Sequence, residues 1–217
     1  MTQIKSKERV RNLAEVYTNE REIKAMLDLI PIKNEDDIIG YKFLEPACGN
    51  GNFLVEILRR KLSRVNEKYS NAPLSVYEFY TVRSLTTVYG IDICEENVLE
   101  ARERIFLEVK AHFDTHKGSY MYSQGFLPCV KYVLEKNIVL GDSINQPENI
   151  EFIDFKVKGK RFEQRYFNYS DLTKKNPQPI KTVPPNHYSE IGRLYQIKTG
   201  TYYEGNQRHL EFVRSAQ

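Results

Sequence analysis

Residues that could bind a nucleotide-like ligand stand at three places in this sequence. Gly49-Asn50-Gly51 follows an apolar run and opens a segment with helical spacing, while Asp92 and Asp142 each end a later apolar run. Glycine lets the backbone approach a ligand closely, and the helix that follows offers unpaired N–H groups to a negative group. A carboxylate at a strand end can accept hydrogen bonds from ribose hydroxyls. Together the three places predict nucleotide binding, although the glycines alone also fit a helix-capping turn.

The hydrophobic pattern predicts the elements that would position these residues. Apolar strands are expected at 41–44, immediately before Asp92, and at 137–143. Helices are expected at 19–30 (with Thr18 or Asn19 as N-cap), 53–65, 75–87, 125–135 and in the segment that carries Val98 to Val109. Strands that alternate with helices are typical of an α/β fold with a parallel, doubly wound sheet. Ligands bind such a sheet at its carboxyl edge.

The pattern changes after Ser143. Residues 150–169 alternate apolar and polar side chains around Gly159-Lys160, which predicts a β-hairpin. From Thr173 onward the chain is polar and contains several prolines, with local helical spacing only at 186–197. The predicted organisation is a cofactor-binding domain at 1–172, comprising a helical cap (1–31), a core (41–143) and the hairpin (150–169), followed by a polar extension at 173–217.

Two common nucleotide-binding motifs do not match the glycine loop. In the dinucleotide fingerprint the acid stands about twenty residues after the glycines, whereas Asp92 lies about twice as far beyond Gly51. The helix predicted at 75–87 accounts for the difference. The loop has no GxGxxG pattern, and neither GKS nor GKT follows it. These departures disfavour both NAD binding and a P-loop.

With its motifs in this order, the sequence resembles the adenine-specific DNA methyltransferases of restriction–modification systems. Residues 43–53, FLEPACGNGNF, are similar to that family's S-adenosylmethionine loop, usually DPACGSGNFL, with Glu45 where Asp is common and Asn50 where Ser is common. The resemblance covers residues 13–143. Its other motifs are Glu15-Val16-Tyr17-Thr18 (often GEVFTP, with Asn19 in place of the proline), Tyr89-Gly90-Ile91-Asp92-Ile93 and Gly141-Asp142-Ser143.

The resemblance implies a Rossmann-like S-adenosylmethionine-dependent methyltransferase fold, with a mostly parallel, doubly wound sheet and a β-hairpin toward the C-terminus. Asp92 would hold the ribose, Ile93 would pack on the adenine ring, and Asp142 or a neighbouring amide would meet the adenine edge. The cofactor-binding residues that the resemblance implies are Tyr17, Thr18, Glu45, Pro46, Ala47, Gly49, Asn50, Gly51, Phe53, Asp92, Ile93, Asp142 and Ser143.

The sequence lacks the (Asp/Asn/Ser)-Pro-Pro-(Tyr/Phe/Trp) loop with which this family orients the adenine amine. Its one Pro-Pro pair, Pro184-Pro185, stands between Val183 and Asn186, and Asn168-Tyr169 fits a turn after an edge hairpin better than a substitute loop. The catalytic residues are therefore unknown.

The resemblance implies an S-adenosylmethionine-dependent DNA methyltransferase of a restriction–modification system, acting on the adenine amino group, or a subunit of one. Its partners would be DNA and a second methyltransferase or restriction subunit. The alternative is a non-catalytic cofactor-binding or regulatory subunit whose partner chain supplies the missing loop. Methylation of proteins or small molecules fits the motifs less well.

Composition sets broad limits. The 217 residues, 41% hydrophobic and 28% charged, suffice for a globular core. A net charge of +3 permits contact with DNA without requiring it. Three cysteines without CxxC spacing indicate neither a zinc site nor a disulfide framework, and they fit a reduced, cytoplasmic setting. The polar first residues and the lack of a long apolar run predict neither a signal peptide nor a membrane span.

Three clusters of residues each allow two interpretations. Lys5, Lys7, Arg9 and Arg11 fit a solvated arm better than a DNA-contacting arm. His112 and His116 have the spacing of metal ligands, but without a third ligand they fit a solvated helix face better, so no metal site is predicted. The hairpin's basic and aromatic residues fit a nucleic-acid surface or, better, a half-buried hairpin. They are Lys156, Lys158, Lys160, Arg161, Phe162, Arg165, Tyr166 and Phe167.

Overall fold

A computed structural model describes residues 18–32, 35–117 and 122–200 of the chain. The α-helices in these ranges are α1 (Glu20–Asp28), α2 (Asn52–Tyr69), α3 (Leu74–Leu85), α4 (Glu95–Lys117), α5 (Phe126–Asn137) and α6 (Tyr188–Thr199). The strands are β1 (Phe43–Glu45), β2 (Val88–Asp92), β3 (Ile138–Leu140), β4 (Glu151–Lys158), β5 (Arg161–Asn168) and β6 (Lys181–Asn186). Short 3-10 helices occupy Glu35–Gly40, Pro147–Asn149 and Tyr169–Thr173.

The strands form two separate sheets of three strands each within the described residues. In the first sheet β1, β2 and β3 are all parallel and lie in that order, with Leu44 opposite Tyr89 and Ile91 opposite Val139. In the second sheet β4, β5 and β6 are antiparallel. The β4–β5 turn contains Gly159, whose φ of +62° places it in the left-handed region.

The prediction of a Rossmann-like, mostly parallel, doubly wound sheet is therefore wrong. Alternating strands and helices correctly indicate parallel strands, because each helix returns the chain to the same end of the sheet. The pattern does not determine how many strands join one sheet, or whether their order reverses within it. Here the spatial order follows the chain order, and after β3 the chain enters an antiparallel sheet instead of another helical crossover.

One face of the parallel sheet is covered by helices. Leu54 and Leu58 of α2 and Ile105 of α4 are fully buried in the main core, together with Val88 of β2. A Cβ at Gly90 would lie 2.7 Å from the Leu54 side chain, so glycine is required for α2 to pack this closely on β2. The close approach fixes where α2 begins relative to the ends of the strands.

The other face of the parallel sheet contacts the second sheet. Side chains alternate between the faces of a strand, and Tyr89 and Ile91 form a separate buried cluster with Ile150 and Phe152. The second sheet also reaches the helical layer, since the Phe162 ring centroid lies 5.0 Å from that of Phe79 in α3. The antiparallel sheet is therefore part of the packed structure.

The segment that was predicted to be a polar extension contributes β6 and α6. Strand β6 pairs with β5, and Tyr188 of α6 is buried with only 1% of its surface exposed. Its hydroxyl donates to the carboxylate of Glu78, which also accepts from the backbone N–H and hydroxyl of Ser123. Burial raises the pKa of Glu78. None of the described helices is long and apolar enough to cross a membrane.

A fully buried lysine connects α2 to the segment before β1. Lys61 is 0% exposed, and its Nζ donates to the carbonyl oxygens of Ile38 (3.0 Å) and Tyr41 (2.5 Å) and to Thr87 Oγ1 (2.6 Å). Burial, with a smaller contribution from Arg83, lowers the pKa of Lys61 to about 7. The Lys61 amino group thus provides hydrogen bonds to polar groups around a side chain that has no exposed surface.

We expect Lys61→Met to destabilise the protein by about 1–3 kcal/mol, because the buried carbonyl oxygens lose their donor. Chemical denaturation monitored by circular dichroism would measure the change. Lys68→Met, an exposed lysine on the same helix, is the matched control and should change stability by less than about 0.5 kcal/mol. Equal midpoints for the two variants would contradict the structural role of Lys61.

The same lysine should make stability depend on pH. Because its pKa is about 7 in the folded chain and about 10.4 when unfolded, the unfolded state binds more protons between these values. Stability should therefore rise by about 1 kcal/mol per unit from pH 7 to pH 9. Subtracting the profile of Lys61→Met isolates this contribution, and a difference that stays constant with pH would show that Lys61 remains charged when folded.

Candidate functional site

The glycine loop connects β1 to α2 and depends on two left-handed residues. Gly49 has φ +54° and Gly51 has φ +85°, a region that side chains rarely adopt. Gly51 is the N-cap of α2, and its carbonyl accepts from Val55 N–H at 2.9 Å. A Cβ on Gly51 would also lie 3.0 Å from the Cβ of Ala101 in α4. The loop therefore needs glycine for its backbone at both positions and for packing at the second.

Helix α4 holds the loop from the side. Asn50 donates through Nδ2 to a Glu100 carboxylate oxygen at 2.7 Å, and Arg104 donates to the Asn50 carbonyl, also at 2.7 Å. Asn97, which is only 3% exposed, lies one turn before Glu100. These three supporting residues are not among those predicted from the sequence. Their spacing of three and four residues on one face of α4 was the signal that could have identified them.

Asp92 joins the end of β2 to the glycine loop. Its Oδ2 accepts from the Gly49 N–H at 2.8 Å, across 43 positions of sequence. Its Oδ1 accepts from Cys94 N–H at 2.9 Å and from Asn97 Nδ2 at 3.3 Å. An ionised carboxylate has about four acceptor positions, so Asp92 can accept one further donor. The side chain is half-buried, which leaves it accessible to a hydroxyl group.

The end of β3 completes the same edge of the sheet. Gly141 N–H donates to the Asp92 carbonyl at 3.0 Å, and the Ser143 hydroxyl donates to the Pro46 carbonyl at 3.0 Å. The Asp142 carboxylate accepts from Asn145 N–H, Asn145 Nδ2 and Ile144 N–H, and these bonds lower its pKa. Asp142 is therefore an anion fixed within its own turn.

Exposed apolar side chains accompany the acids at this edge. Ile93, directly after Asp92, is 62% exposed, and Ile144 is 84% exposed. Leu140, the last residue of β3, is 52% exposed. Apolar side chains next to strand-end carboxylates can contact a flat ring whose polar groups reach those carboxylates. This combination of groups suits a nucleoside better than a simple ion.

Glu45 ends β1 at the same edge. Its carboxylate accepts from Ala47 N–H at 3.3 Å, and burial raises its pKa. Pro46 and Ala47 are exposed, while Phe53 is half-buried against the core. The structure thus gathers at one edge the predicted residues Glu45, Pro46, Ala47, Gly49, Asn50, Gly51, Asp92, Ile93, Asp142 and Ser143.

The upstream motif is only partly described. Tyr17 lies outside the described residues, as do Lys5, Lys7, Arg9 and Arg11. Thr18 is half-buried and directly precedes Asn19, which is the N-cap of α1 and forms a capping box with Glu22. Asn19, and not Thr18, therefore caps this helix. Among the hydrogen bonds found in the described ranges, none joins Thr18 to the glycine loop.

The basic hairpin buries the rings of Phe162 and Phe167, while Tyr166 is half-buried. Phe162 is 0% exposed and Phe167 is 7% exposed. Arg165 pairs with Asp154, and Arg161 lies 3.3 Å from Glu190. The lysines at 156, 158 and 160 are exposed. Phe162 and Phe167 therefore do not form an exposed surface for stacking bases of a nucleic-acid strand, and the arrangement is that of a half-buried hairpin with a solvated outer face.

One histidine, His112, and two of the cysteines, Cys48 and Cys129, lie in packed surroundings. His112 Nε2 lies 3.0 Å from the Tyr77 hydroxyl, and burial lowers the pKa of His112 to about 4. Cys48 and Cys129 are buried, and burial raises the pKa of Cys48 to about 12. The described part of the chain contains no group of three or more side chains able to hold a metal ion.

Comparison with known proteins returns no relative. No protein-family model, no curated protein and no solved structure matches the chain. The geometry of the sheet edge is therefore the basis for a functional proposal, together with the motif resemblance in the sequence.

We expect Gly51→Ala to destabilise the protein more than Gly49→Ala. Both variants place a side chain at positive φ, which costs about 1 kcal/mol, but only Gly51→Ala also meets Ala101. Gly159→Ala in the hairpin turn has positive φ and no neighbour within 4 Å, so it serves as the strain-only control. Denaturation midpoints would measure all three, and equal losses would contradict the close packing of the loop on α4.

Proposed function

We propose that this chain binds S-adenosylmethionine at the carboxyl edge of its parallel sheet and is a DNA adenine methyltransferase or a subunit of one. The observation that carries the proposal is the hydrogen bond between Gly49 N–H and Asp92 Oδ2 at 2.8 Å. It unites the glycine loop and the strand-end acid, the two features on which the motif resemblance chiefly rests. Exposed Ile93 beside Asp92 adds a surface for a flat ring.

Each part of the edge suits a different part of this cofactor. Asp92 can accept from a ribose hydroxyl through its remaining lone pair. Ile93 packs on the adenine ring, and the turn at Asp142 meets the adenine edge. The glycine loop leaves room for the methionine portion. That portion carries a positive sulfonium and an ammonium group, and the carboxylates of this edge attract such charges.

The reaction would be an in-line attack by the adenine amine on the methyl carbon of the sulfonium. The new N–C bond forms as the C–S bond breaks, S-adenosylhomocysteine leaves, and the amine releases one proton. Such a transfer depends mainly on alignment of the two reactants, and a base in duplex DNA must leave the stack to reach the cofactor. The chain's own part is to bind and orient the cofactor.

A specific observation favours a subunit over a self-sufficient enzyme. Pro184-Pro185 lies within β6 of the antiparallel sheet, where Val183 pairs with Gln164. This position is in the second sheet and not at the edge that carries the acids. The second candidate function is therefore a non-catalytic cofactor-binding or regulatory subunit, whose partner chain would supply the residues that orient the adenine amine.

Binding of S-adenosylmethionine to the purified chain tests the site itself, and isothermal titration calorimetry would measure it. Ile93→Ser should weaken binding about tenfold, because the adenine ring loses its apolar contact. Leu99→Ser is the matched control, since Leu99 is 55% exposed on nearby α4, and it should bind as the wild type does. A wild-type chain that binds no S-adenosylmethionine would refute the proposed site.

Transfer of labelled methyl groups from S-adenosylmethionine to unmethylated DNA tests the activity. Asp92→Ala should abolish transfer, because it removes the ribose acceptor and releases Gly49, while Asp171→Ala should retain it. Cofactor binding without transfer would favour the subunit, and transfer restored by a partner chain would establish it. Transfer by the chain alone would show that the missing loop is not needed.

A further inference from the structure

A cavity of about 420 Å³ lies where the parallel sheet meets the antiparallel sheet. Its walls include Phe43, Tyr89, Phe152 and Phe167, and Leu172 lies at its border. The volume is in the range of small-molecule pockets. Four of its ten lining residues are aromatic, and aromatic side chains present flat apolar surfaces on which a planar ring can stack or make edge contacts.

This cavity is distinct from the proposed cofactor site. Its lining includes Lys42, directly before β1, and Phe43 and Leu44 of β1, all of which precede Glu45, whereas the glycine loop follows Glu45. Its β2 residue, Tyr89, stands near the start of the strand that ends at Asp92. None of the residues of the carboxyl edge named above lines the cavity. The two sites therefore use different ends of the same strands.

The charged groups of the cavity carry a surplus of positive charge. Asp154 is the acid in its wall, and it pairs with both Lys42, at 2.7 Å, and Arg165. Two cations against one carboxylate leave a net charge of +1. Burial raises the pKa of Asp154, but Lys42 and Arg165 outweigh this effect and lower it overall. The carboxylate therefore stays ionised, and its acceptor capacity is used by the two cations.

Donors also exceed acceptors in this wall. Lys42 has three N–H donors and Arg165 has five. The Asp154 carboxylate has about four acceptor positions, so it cannot accept from all of these donors. Both cationic side chains line the cavity and keep exposed surface, 56% for Lys42 and 29% for Arg165. The Tyr89 hydroxyl is already bound to the Ile153 carbonyl at 3.3 Å. A ligand that supplies acceptor atoms would complement this wall.

We propose that the cavity is a binding site for a small aromatic anion, a flat ring that bears a carboxylate or a phosphate. The ring lies among the aromatic walls, and the anionic group accepts from Lys42 and Arg165. The guanidinium of Arg165 already lies 5.6 Å from the centre of the Phe167 ring. An aromatic ring and a cation that can bind an anion therefore lie next to each other in the cavity wall.

Titrations of the full chain, followed by NMR chemical shifts, test this site. The probe is 2-naphthoate, and its neutral isostere is 2-naphthamide. The acid should bind at least tenfold more tightly than the amide, because only the acid meets the surplus cations. Arg165→Gln should remove most of this preference, whereas Lys156→Gln, an exposed cation on β4, should keep it. Equal binding of acid and amide to the wild type would overturn the proposal.

A second variant keeps the test valid if Arg165→Gln does not fold. Leu172 is 44% exposed at the border of the cavity, so we expect Leu172→Trp to fold and to obstruct the cavity. It should weaken naphthoate binding at least tenfold. Naphthoate binding that survives Leu172→Trp, or no binding to the wild type, would also refute the site.

Adenosine monophosphate distinguishes the two chemical sources of such an anion. Loss of its binding in Leu172→Trp would identify a nucleotide phosphate as an occupant, and binding of naphthoate alone would identify an aromatic carboxylate. Loss of adenosine monophosphate binding in Asp92→Ala, with Leu172→Trp unaffected, would assign the nucleotide to the sheet edge. In that case naphthoate binding alone, and its loss in Leu172→Trp, decides whether the cavity binds an aromatic anion. The result does not depend on S-adenosylmethionine binding.

Discussion

The hydrogen bond between Gly49 and Asp92 is the contact on which the candidate site depends. It lies at the junction of three elements. Gly49 follows β1 and Asp92 ends β2, and Asp92 also accepts from the N–H of Cys94, the residue before α4. A carboxylate that accepts two backbone N–H groups is fixed in position by charge-assisted bonds. The glycine loop therefore has a defined distance from the strand-end acid, and any ligand at this edge meets both together.

Close packing around glycine makes this junction possible. Gly90 allows α2 to lie against β2, and Gly51 allows the start of α2 to lie against Ala101 of α4. Both contacts place the positive end of α2 at the edge of the sheet, where the acids also lie. The helix end and the carboxylates then act on a ligand from neighbouring positions, and a dipolar or zwitterionic ligand suits such a pair.

The second sheet gives the molecule a further surface with different chemistry. It covers the face of the parallel sheet opposite the helices, and the ion pairs of Asp154 with Lys42 and Arg165 lie where the two sheets meet. The carboxyl edge presents carboxylates, whereas the intersheet cavity presents surplus cations. Two sites of opposite charge on one small sheet would select different ligands.

Much of the local structure could be predicted from the sequence. The apolar runs that end at Asp92 and near Asp142 are strands, and the periodic segment after Gly51 is a helix. The capping box of Asn19 and Glu22 and the αL glycines follow from residue type and spacing. Each of these features is set by neighbours a few positions apart, so a short window of sequence contains the information. The gathering of Gly49, Asp92 and Asp142 at one edge also followed, because parallel strands share a carboxyl edge.

Only the tertiary structure decided how the sheets are divided. The sequence predicted one doubly wound sheet and missed β6, because its prolines disfavour a strand. Nor did it indicate that Glu100 and Arg104 bind the glycine loop or that Asn97 binds Asp92. It also gave no sign that Lys61 would be buried or that Asp154, Lys42 and Arg165 would meet. These features arise from contacts between distant segments. The energies of such contacts depend on burial and on partners that no local pattern of residues specifies.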